Sequence, residues 1–262
     1  MKVITNFSKN YPEDPIRFFN FEEYEDQYRD CELYVGAWPS EVIRQESTRP
    51  KIFFSTEEQL HPQDGTNQFL PFVEKIVTIC HPKFSKRQKR EFAFFPLNES
   101  LVPEKQEKIY DCIYTGLATN DMIQKMIATM VKFNYCYVSF QSHSGVTAVN
   151  VDYLEKLKRI AQSTTCIVHN ILGNNTPQLK SRPFEAAFCQ SLMLCYKDDY
   201  NVIEDWFTPN EDFLYFSNED ELSVLISHAR ANPAFYDSII NNAYDKAMNN
   251  YTTKHFLDRY VK

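Results

Sequence analysis

Short apolar runs alternate with amphipathic stretches along the whole chain. The continuous apolar runs predict buried strands, and the stretches with apolar residues three and four positions apart predict helices. Regular alternation of the two is typical of an α/β protein with parallel sheets. The sequence therefore predicts an α/β fold, and the strands fall into two groups.

The N-terminal half contains the first group of predicted strands, separated by charged stretches. The strands are expected at 2–7, 32–37, 51–56, 75–81 and 92–97, with helical connections at 22–30, 39–47 and 82–91. Pro39 and Pro82 fall where the first turn of a helix tolerates proline. Residues 1–100 are therefore predicted to form one Rossmann-like domain.

A charged stretch without apolar periodicity, 98–108, is predicted to link this domain to a second one, 108–262. The second group of strands is expected at 110–116, 135–141, 165–171, 192–196 and 213–216. Helices are expected at 120–133, 151–163, 183–191, 219–231 and 233–251, with a tail to Lys262. Open parallel sheets bind ligands outside the carboxyl ends of their strands, so a cleft between the two domains is the expected site.

The net charge of the chain limits the classes of partner that it can bind. The net charge of −7 argues against a nucleic-acid partner, which needs a basic face. One local basic run is the exception, formed by Lys83, Lys86, Arg87, Lys89 and Arg90. It is either a solvated helix face or a weak contact for acidic lipids or an anionic acceptor, and both interpretations stay open.

Cysteine usage and hydropathy indicate a soluble, cytoplasmic protein. The seven cysteines form no C-x-x-C pair, and an odd number favours free thiols in a reducing compartment. No apolar run approaches the roughly 18 residues that a membrane span requires.

The most informative stretch for function begins at Lys180. Arg182-Pro183 is predicted to open a helix, whose free N–H groups and dipole suit a phosphate with two cations beside it. Glu185 would then be the third helical residue. It would accept hydrogen bonds from a ribose diol or merely complement the helix dipole, and the residues alone leave both interpretations open.

This stretch resembles the C-terminal half of GT-B glycosyltransferases, closest to the CgeB-like, group-1-type branch. The likeness lies in Ser-Arg-Pro-Phe-Glu-Ala-Ala at 181–187, Leu-Met-Leu at 192–194, the acidic loop and the strand that follow, and the last helices. It covers about residues 109–260. It implies two Rossmann-like domains that face each other across a cleft. It also implies transfer of a hexosyl or pentosyl group from a nucleotide-sugar donor to a hydroxyl of a glycan or glycoconjugate.

The resemblance also implies roles for individual residues. The Glu of the Phe-Glu-Ala motif contacts the donor ribose, which maps to Glu185. The preceding turn contacts the diphosphate, which maps to Lys180, Ser181 and Arg182. Gly116 would allow a donor or acceptor to approach the backbone closely, unless it is a plain turn glycine.

Polar residues at predicted strand ends are further candidates. His169 and Asn170 would face the nucleobase or diphosphate, or they are satisfied structural groups. Glu57 and Glu58 follow the third strand, and His81 follows the fourth. A Glu there, or His81 as the alternative, would take the proton of an acceptor hydroxyl. Solvated loop charges are the competing interpretation of the two glutamates.

No metal or cofactor is predicted. The chain lacks Asp-x-Asp, zinc-spaced His and Cys, a P-loop and a dinucleotide glycine motif after its first or sixth strand. Without a metal, cations and a helix start would have to stabilise the leaving diphosphate. Two alternatives stay open. One is a nucleotide-sugar epimerase. The other is a degenerate module that binds a nucleotide sugar or a partner protein, favoured by Pro177 where the family's E-x7-E pattern has Glu.

Overall fold

The computed structural model of the protein contains two five-stranded parallel sheets. The residues that the structure describes are 1–6, 15–36, 41–57, 67–81, 90–143, 145–171 and 177–262. The predicted α/β architecture with two parallel sheets is confirmed. Residues 93–109, which include the predicted linker, connect the two sheets.

The first sheet is built from apolar strands in chain order. They are β1 (Lys2–Asn6), β2 (Glu32–Gly36), β3 (Lys51–Ser55), β4 (Lys75–Thr78) and β5 (Arg90–Phe92), arranged β1-β2-β3-β4-β5. Every residue of β3 is buried, because a parallel sheet covered on both faces selects continuous apolar runs. The strand predicted at 92–97 is wrong in its bounds. Strand β5 ends at Phe92, and the side chains of Phe94 and Phe95 pack into the core instead.

Short 3₁₀ turns stand where two of the N-terminal helices are predicted. Within the described residues of this half, the turns span Pro15–Phe18, Phe21–Gln27, Glu41–Arg44, Asn67–Phe72 and Glu99–Leu101. Acidic residues three and four positions apart crowd the turn Phe21–Gln27, and their repulsion opposes a regular α-helix. Most of the helix predicted at 82–91, with its basic run, lies outside the described residues. Arg90 belongs to β5 and donates to Asn67 Oδ1 at 3.1 Å.

The second sheet reverses its strand order once. Its strands are β6 (Tyr110–Thr115), β7 (Tyr135–Val138), β8 (Ser163–Val168), β9 (Leu192–Tyr196) and β10 (Leu214–Phe216), arranged β10-β9-β8-β6-β7. The chain leaves β6 to one side for β7 and returns on the other side as β8. This reversal creates a crevice outside the carboxyl ends of β6 and β8, where such sheets bind ligands.

In the described part of the chain, all α-helices follow β6. They are α1 (Asp121–Met130), α2 (Tyr153–Ala161), α3 (Arg182–Phe188), α4 (Glu219–Ala231), α5 (Asp237–Asn250) and α6 (Thr253–Tyr260), with 3₁₀ turns at Val202–Asp205 and Pro233–Tyr236. Asn120, Asp152 and Asn218 each accept a hydrogen bond from the N–H three residues on. These side chains cap three of the helices, and so fix where they begin.

The last helix, α6, crosses back to the first sheet. The ring of Phe256 lies 4.5 Å from that of Phe54 in β3. Thr253 Oγ1 donates to the carbonyl of Phe19 at 2.7 Å. The sequence predicts a tail to Lys262 at this end of the chain, whereas the structure forms the helix Thr253–Tyr260 there. The apolar side chains of α6 are buried in a core that is continuous between the two sheets.

All seven cysteines are buried free thiols, as predicted. Burial raises the pKa of the Cys166 thiol to about 12, because a thiolate is disfavoured in the core. The cysteines therefore act as small core hydrophobes. Within the described residues, no helix combines the length and apolarity needed to cross a bilayer.

Candidate functional site

The segment before α3 lies between the two sheets. The Leu179 N–H donates to the Ile79 carbonyl at 3.3 Å, and Gln178 forms an antiparallel bridge with Cys80. The side chain of Gln178 is buried and donates from Nε2 to the Thr56 carbonyl at 3.2 Å. The segment therefore joins the carboxyl ends of β3 and β4 to the second sheet. We call this contact, between residues 56–57 and 79–81 and residues 177–180, the interdomain seam.

Glu57 lies in the interdomain seam and is bound by the other domain. Its Oε2 accepts a hydrogen bond from Gln178 Nε2 at 2.9 Å, and Lys180 Nζ lies 3.3 Å from its Oε1. Burial lowers the pKa of Lys180, although the Glu57 carboxylate opposes this shift. The sequence predicts a proton acceptor and a diphosphate ligand in these two residues, and the structure pairs them. Glu58 lies outside the described residues.

Arg182 enters the crevice between β6 and β8. Its Nε donates to the carbonyl of Thr115 at the end of β6, and its Nη1 donates to the carbonyl of His169 after β8 at 3.0 Å. The guanidinium carbon lies 5.0 Å from the centre of the Tyr114 ring, within reach of a cation–π interaction. Backbone acceptors and an aromatic face thus fix a cation where the strand order reverses.

Gly116 makes room for this cation. Its φ of 111° is a conformation that residues with a side chain rarely adopt. A Cβ at this position would collide with Nη2 of Arg182. The sequence predicts that a donor or acceptor approaches Gly116, whereas the group that approaches it in this structure is the Arg182 guanidinium.

His169 and Asn170 lie at the same edge of the sheet. The His169 ring stacks on Tyr196 with centroids 5.2 Å apart, and its Nδ1 accepts a hydrogen bond from the Ile171 N–H at 3.2 Å. Burial and the Arg182 cation lower the pKa of His169 to about 4, so the imidazole is neutral at pH 7. Asn170 Oδ1 is buried without a hydrogen-bond partner in the described structure. It remains an acceptor for a ligand or a water molecule.

Glu185 is buried between two helices. Its Oε1 lies 2.9 Å from Lys156 Nζ on α2, and the two side chains are 2% and 5% exposed. The helix begins at Arg182, so Glu185 is its fourth residue and not the predicted third; Ser181 precedes the helix without a side-chain capping bond. The cation of a neighbouring helix therefore holds the carboxylate. Its Oε2 has no partner among the described residues.

His81 also reaches across to the other domain. Its Nε2 lies 3.0 Å from Oδ2 of Asp205, in the 3₁₀ turn after β9. The His81 side chain is 6% exposed, and its ring lies edge-on to Phe92 with centroids 5.1 Å apart. The sequence predicts His81 as an alternative proton acceptor. The structure gives its imidazole a carboxylate partner, which fixes the orientation of the ring.

Sequence reasoning missed the residues that hold the candidates in place. These are Lys156, Gln178 and Asp205. They lie between 29 and 124 positions from the candidate residues to which their side chains bind. Lys156 fits the pattern of an amphipathic helix, and Asp205 fits that of an acidic loop. No local spacing signals such long-range pairs, since they depend on how the sheets face each other.

Residues 144–262 match the model of a family described as glycosyl transferase-like. This range begins after β7 and ends beyond α6. It includes Lys180, Arg182 and Glu185, and therefore one side of the interdomain seam. No curated protein sequence matches the chain.

Solved structures share the fold at low sequence identity. HepE from Anabaena, in complex with UDP and glucose, superposes with a TM-score of 0.60 at 8% identity, covering 87% of this chain and 76% of HepE. Sucrose-phosphate synthase from Thermosynechococcus elongatus superposes with a TM-score of 0.58 at 12% identity, covering 94% of this chain and 75% of the synthase. S. aureus TarM superposes with a TM-score of 0.58 at 9% identity, covering 92% of this chain and 56% of TarM. The chain therefore spans little more than half of TarM. At these identities the likeness shows the fold.

Proposed function

We propose that this chain transfers a sugar from a nucleotide-sugar donor to an acceptor hydroxyl, because it has the GT-B fold and its residues 144–262 match the model of a family described as glycosyl transferase-like. The observation that carries this function is the Arg182 guanidinium, fixed in the crevice between β6 and β8. A nucleoside diphosphate is an anion that a guanidinium recognises with directed hydrogen bonds. HepE, which shares the fold, has been crystallised with UDP-glucose.

The proposed donor site lies along the carboxyl ends of β6 and β8 and the start of α3. Its residues are Gly116, His169, Asn170, Lys180, Ser181, Arg182 and Glu185. The guanidinium of Arg182 has five N–H donors. Two of its nitrogens bond to backbone carbonyls, which leaves donors for a phosphate. The Lys180 ammonium group would be the second cation of the site, bound to the diphosphate as well as to the Glu57 carboxylate. Both cations would stabilise the charge that develops on the leaving group.

The proposed reaction needs no metal ion, since Lys180 and Arg182 supply the positive charge. Across the described ranges, no group of three or more His, Cys, Asp or Glu is placed to hold a metal. On the acceptor side, Glu57 would take the proton of the attacking hydroxyl, with His81 as the alternative. The acceptor is proposed to be a glycan or a glycoconjugate.

One observation favours a second candidate, a module that binds a nucleotide sugar without transferring it. The Glu57 carboxylate is held by Lys180 and Gln178. In this arrangement the proposed base and one of the proposed cations neutralise each other. A chain locked in this state would bind a donor through Arg182 and leave the acceptor unactivated.

A thermal-shift screen tests the proposed donor. UDP-, GDP- and dTDP-sugars are each added with and without Mg²⁺, and a ligand that binds the folded state raises the melting temperature by mass action. We expect one nucleotide class to stabilise the protein equally well without Mg²⁺. Release of the nucleotide on addition of an acceptor separates the transferase from the inactive module. No shift with any of the three classes would contradict both.

A further inference from the structure

A pocket opens beside His81, between the 3₁₀ turn after β9 and the last two helices. It is lined by Asp205, Trp206, Asn250, Tyr251, His255 and Arg259. The proposed donor site uses none of these residues. They come from three separate elements, so the fold itself brings their side chains together.

Two polar side chains of the pocket each use one atom in a hydrogen bond within the protein, and the second polar atom of each is left to bind a ligand. Asp205 uses Oδ2 to bind His81 at 3.0 Å, and no described residue hydrogen-bonds to its Oδ1. His255 uses Nδ1 in a hydrogen bond with Thr252 Oγ1 at 2.9 Å, which leaves Nε2. Each group is therefore oriented by its neighbour before any ligand arrives, and such preorganisation favours binding.

The other walls supply a cation, an amide and aromatic faces. The guanidinium carbon of Arg259 lies 5.7 Å from the centre of the Trp206 ring, and this arginine forms no ion pair with a described residue. Asn250 donates from Nδ2 to the Lys246 carbonyl at 2.8 Å and keeps its Oδ1. Tyr251 is fixed against the wall because its hydroxyl donates to the Trp206 carbonyl at 2.6 Å.

We infer that this pocket binds a neutral sugar ring through its hydroxyl groups. Hydroxyls donate to the carboxylate of Asp205 and the amide oxygen of Asn250, and they accept from the guanidinium of Arg259. The aromatic walls suit the apolar face of a sugar ring. A charged ligand would meet a like charge, because Asp205 and Arg259 carry opposite signs. A neutral polyol satisfies both.

That the ligand is a sugar rests on the proposed function, whereas the existence of the pocket rests on the structure alone. Two sources share this chemistry: the acceptor sugar and the sugar carried by the donor. The hydrogen bond between Asp205 and His81 connects the pocket to the proposed alternative proton acceptor. An acceptor hydroxyl bound to Asp205 would therefore lie close to His81.

Saturation-transfer NMR with glucose, galactose and N-acetylglucosamine tests the inference. At least one of the three is expected to receive saturation from the wild-type protein. Arg259→Met should raise its dissociation constant at least tenfold. Arg230→Met, a matched loss of an exposed arginine that pairs with Asp111, should leave it unchanged. His255→Gln provides a second, more conservative variant should Arg259→Met fail to fold.

Binding of UDP, GDP and dTDP, measured on the same samples, distinguishes failure of the pocket from failure of the proposed function. No transfer to any of the three sugars, or equal affinity in wild type and both pocket variants, overturns the pocket. If one of the three nucleotides still binds in that case, the proposed function stands without the pocket. Sugar binding without binding of UDP, GDP or dTDP supports the pocket and contradicts the donor site. A sugar signal abolished by UDP-glucose but not by UDP assigns the pocket to the donor's sugar, and a persistent signal assigns it to the acceptor.

Discussion

Lys180 Nζ and the Glu57 carboxylate lie 3.3 Å apart across the interdomain seam. The pair joins a proposed diphosphate ligand to a proposed proton acceptor. A diphosphate carries more negative charge than one carboxylate, so a bound donor would compete with Glu57 for Lys180. Donor binding would thereby free the base on the acceptor side, so the interdomain seam would couple the two halves of the proposed reaction.

Glu57→Gln tests whether this carboxylate removes a proton. General-base catalysis contributes about 10²–10⁴-fold, so we expect kcat to fall by that factor while the donor KM changes less. Nucleotide release under saturating donor and acceptor measures both constants. Glu74→Gln is the control, because Glu74 also accepts hydrogen bonds from a cation, Arg29, but on the exposed surface. Wild-type kcat in Glu57→Gln would remove Glu57 and leave His81 as the candidate.

The buried pair Lys156–Glu185 predicts a large and specific effect on stability. Lys156→Met leaves the Glu185 carboxylate buried without its cation, which costs about 3–5 kcal/mol of unfolding free energy. Lys156→Met combined with Glu185→Leu should recover most of this loss. Urea unfolding measures both. Arg159→Met, which removes a partly exposed pair with Glu155, should change stability by less than about 1 kcal/mol. A loss that small in Lys156→Met would show that the buried pair is not stabilising.

The same double variant asks whether Glu185 contacts the donor. Lys156→Met/Glu185→Leu is expected to fold but to bind UDP at least tenfold more weakly, because the ribose loses a carboxylate acceptor. Titration calorimetry at pH 7 gives the dissociation constant. If UDP binds the double variant as it binds wild type, Glu185 serves only the packing of α2 against α3.

His169 makes stability depend on pH. Its folded pKa of about 4 lies below the ordinary value of 6.5, so the unfolded chain binds the extra proton between these values. The stability that the neutral His169 contributes to the folded state is fully present above pH 6.5. It is lost as the pH falls toward 4, where the free energy of unfolding is lower by up to about 3 kcal/mol. His169→Gln should flatten this part of the stability curve. Urea unfolding at several pH values between 4 and 7 measures the slopes, and parallel curves for the two proteins would be inconsistent with a buried neutral imidazole.

Local patterns predict the elements that local interactions determine. The helix predicted at 219–231 and the strand predicted at 192–196 are confirmed at their predicted bounds. The first begins at the capping side chain of Asn218, and the second is a continuous apolar run. The bounds of β5 and the helix α6 could not be predicted in this way. Phe94 leaves the sheet and packs against two aromatic rings from the end of the chain, Tyr251 directly after α5 and Phe256 in α6.

The candidate site follows the same division. The sequence places Arg182, His169 and Gly116 at strand ends and a helix start, and the structure brings the three together. Which atoms they touch depends on the reversed strand order between β6 and β8, which no local pattern encodes. For the same reason the partners Asp205 and Lys156 emerged from the structure alone.

The claim on which this account depends is that the Arg182 guanidinium binds the diphosphate of the donor. Titration calorimetry of UDP, with GDP and dTDP alongside, into wild type and Arg182→Met measures it most directly. A hydrogen bond to a charged group contributes about 1.5–3 kcal/mol, so we predict a dissociation constant at least tenfold higher in the variant. Arg230→Met should bind as wild type does, and thermal unfolding checks that both variants fold. Equal binding by wild type and a folded Arg182→Met would contradict the account.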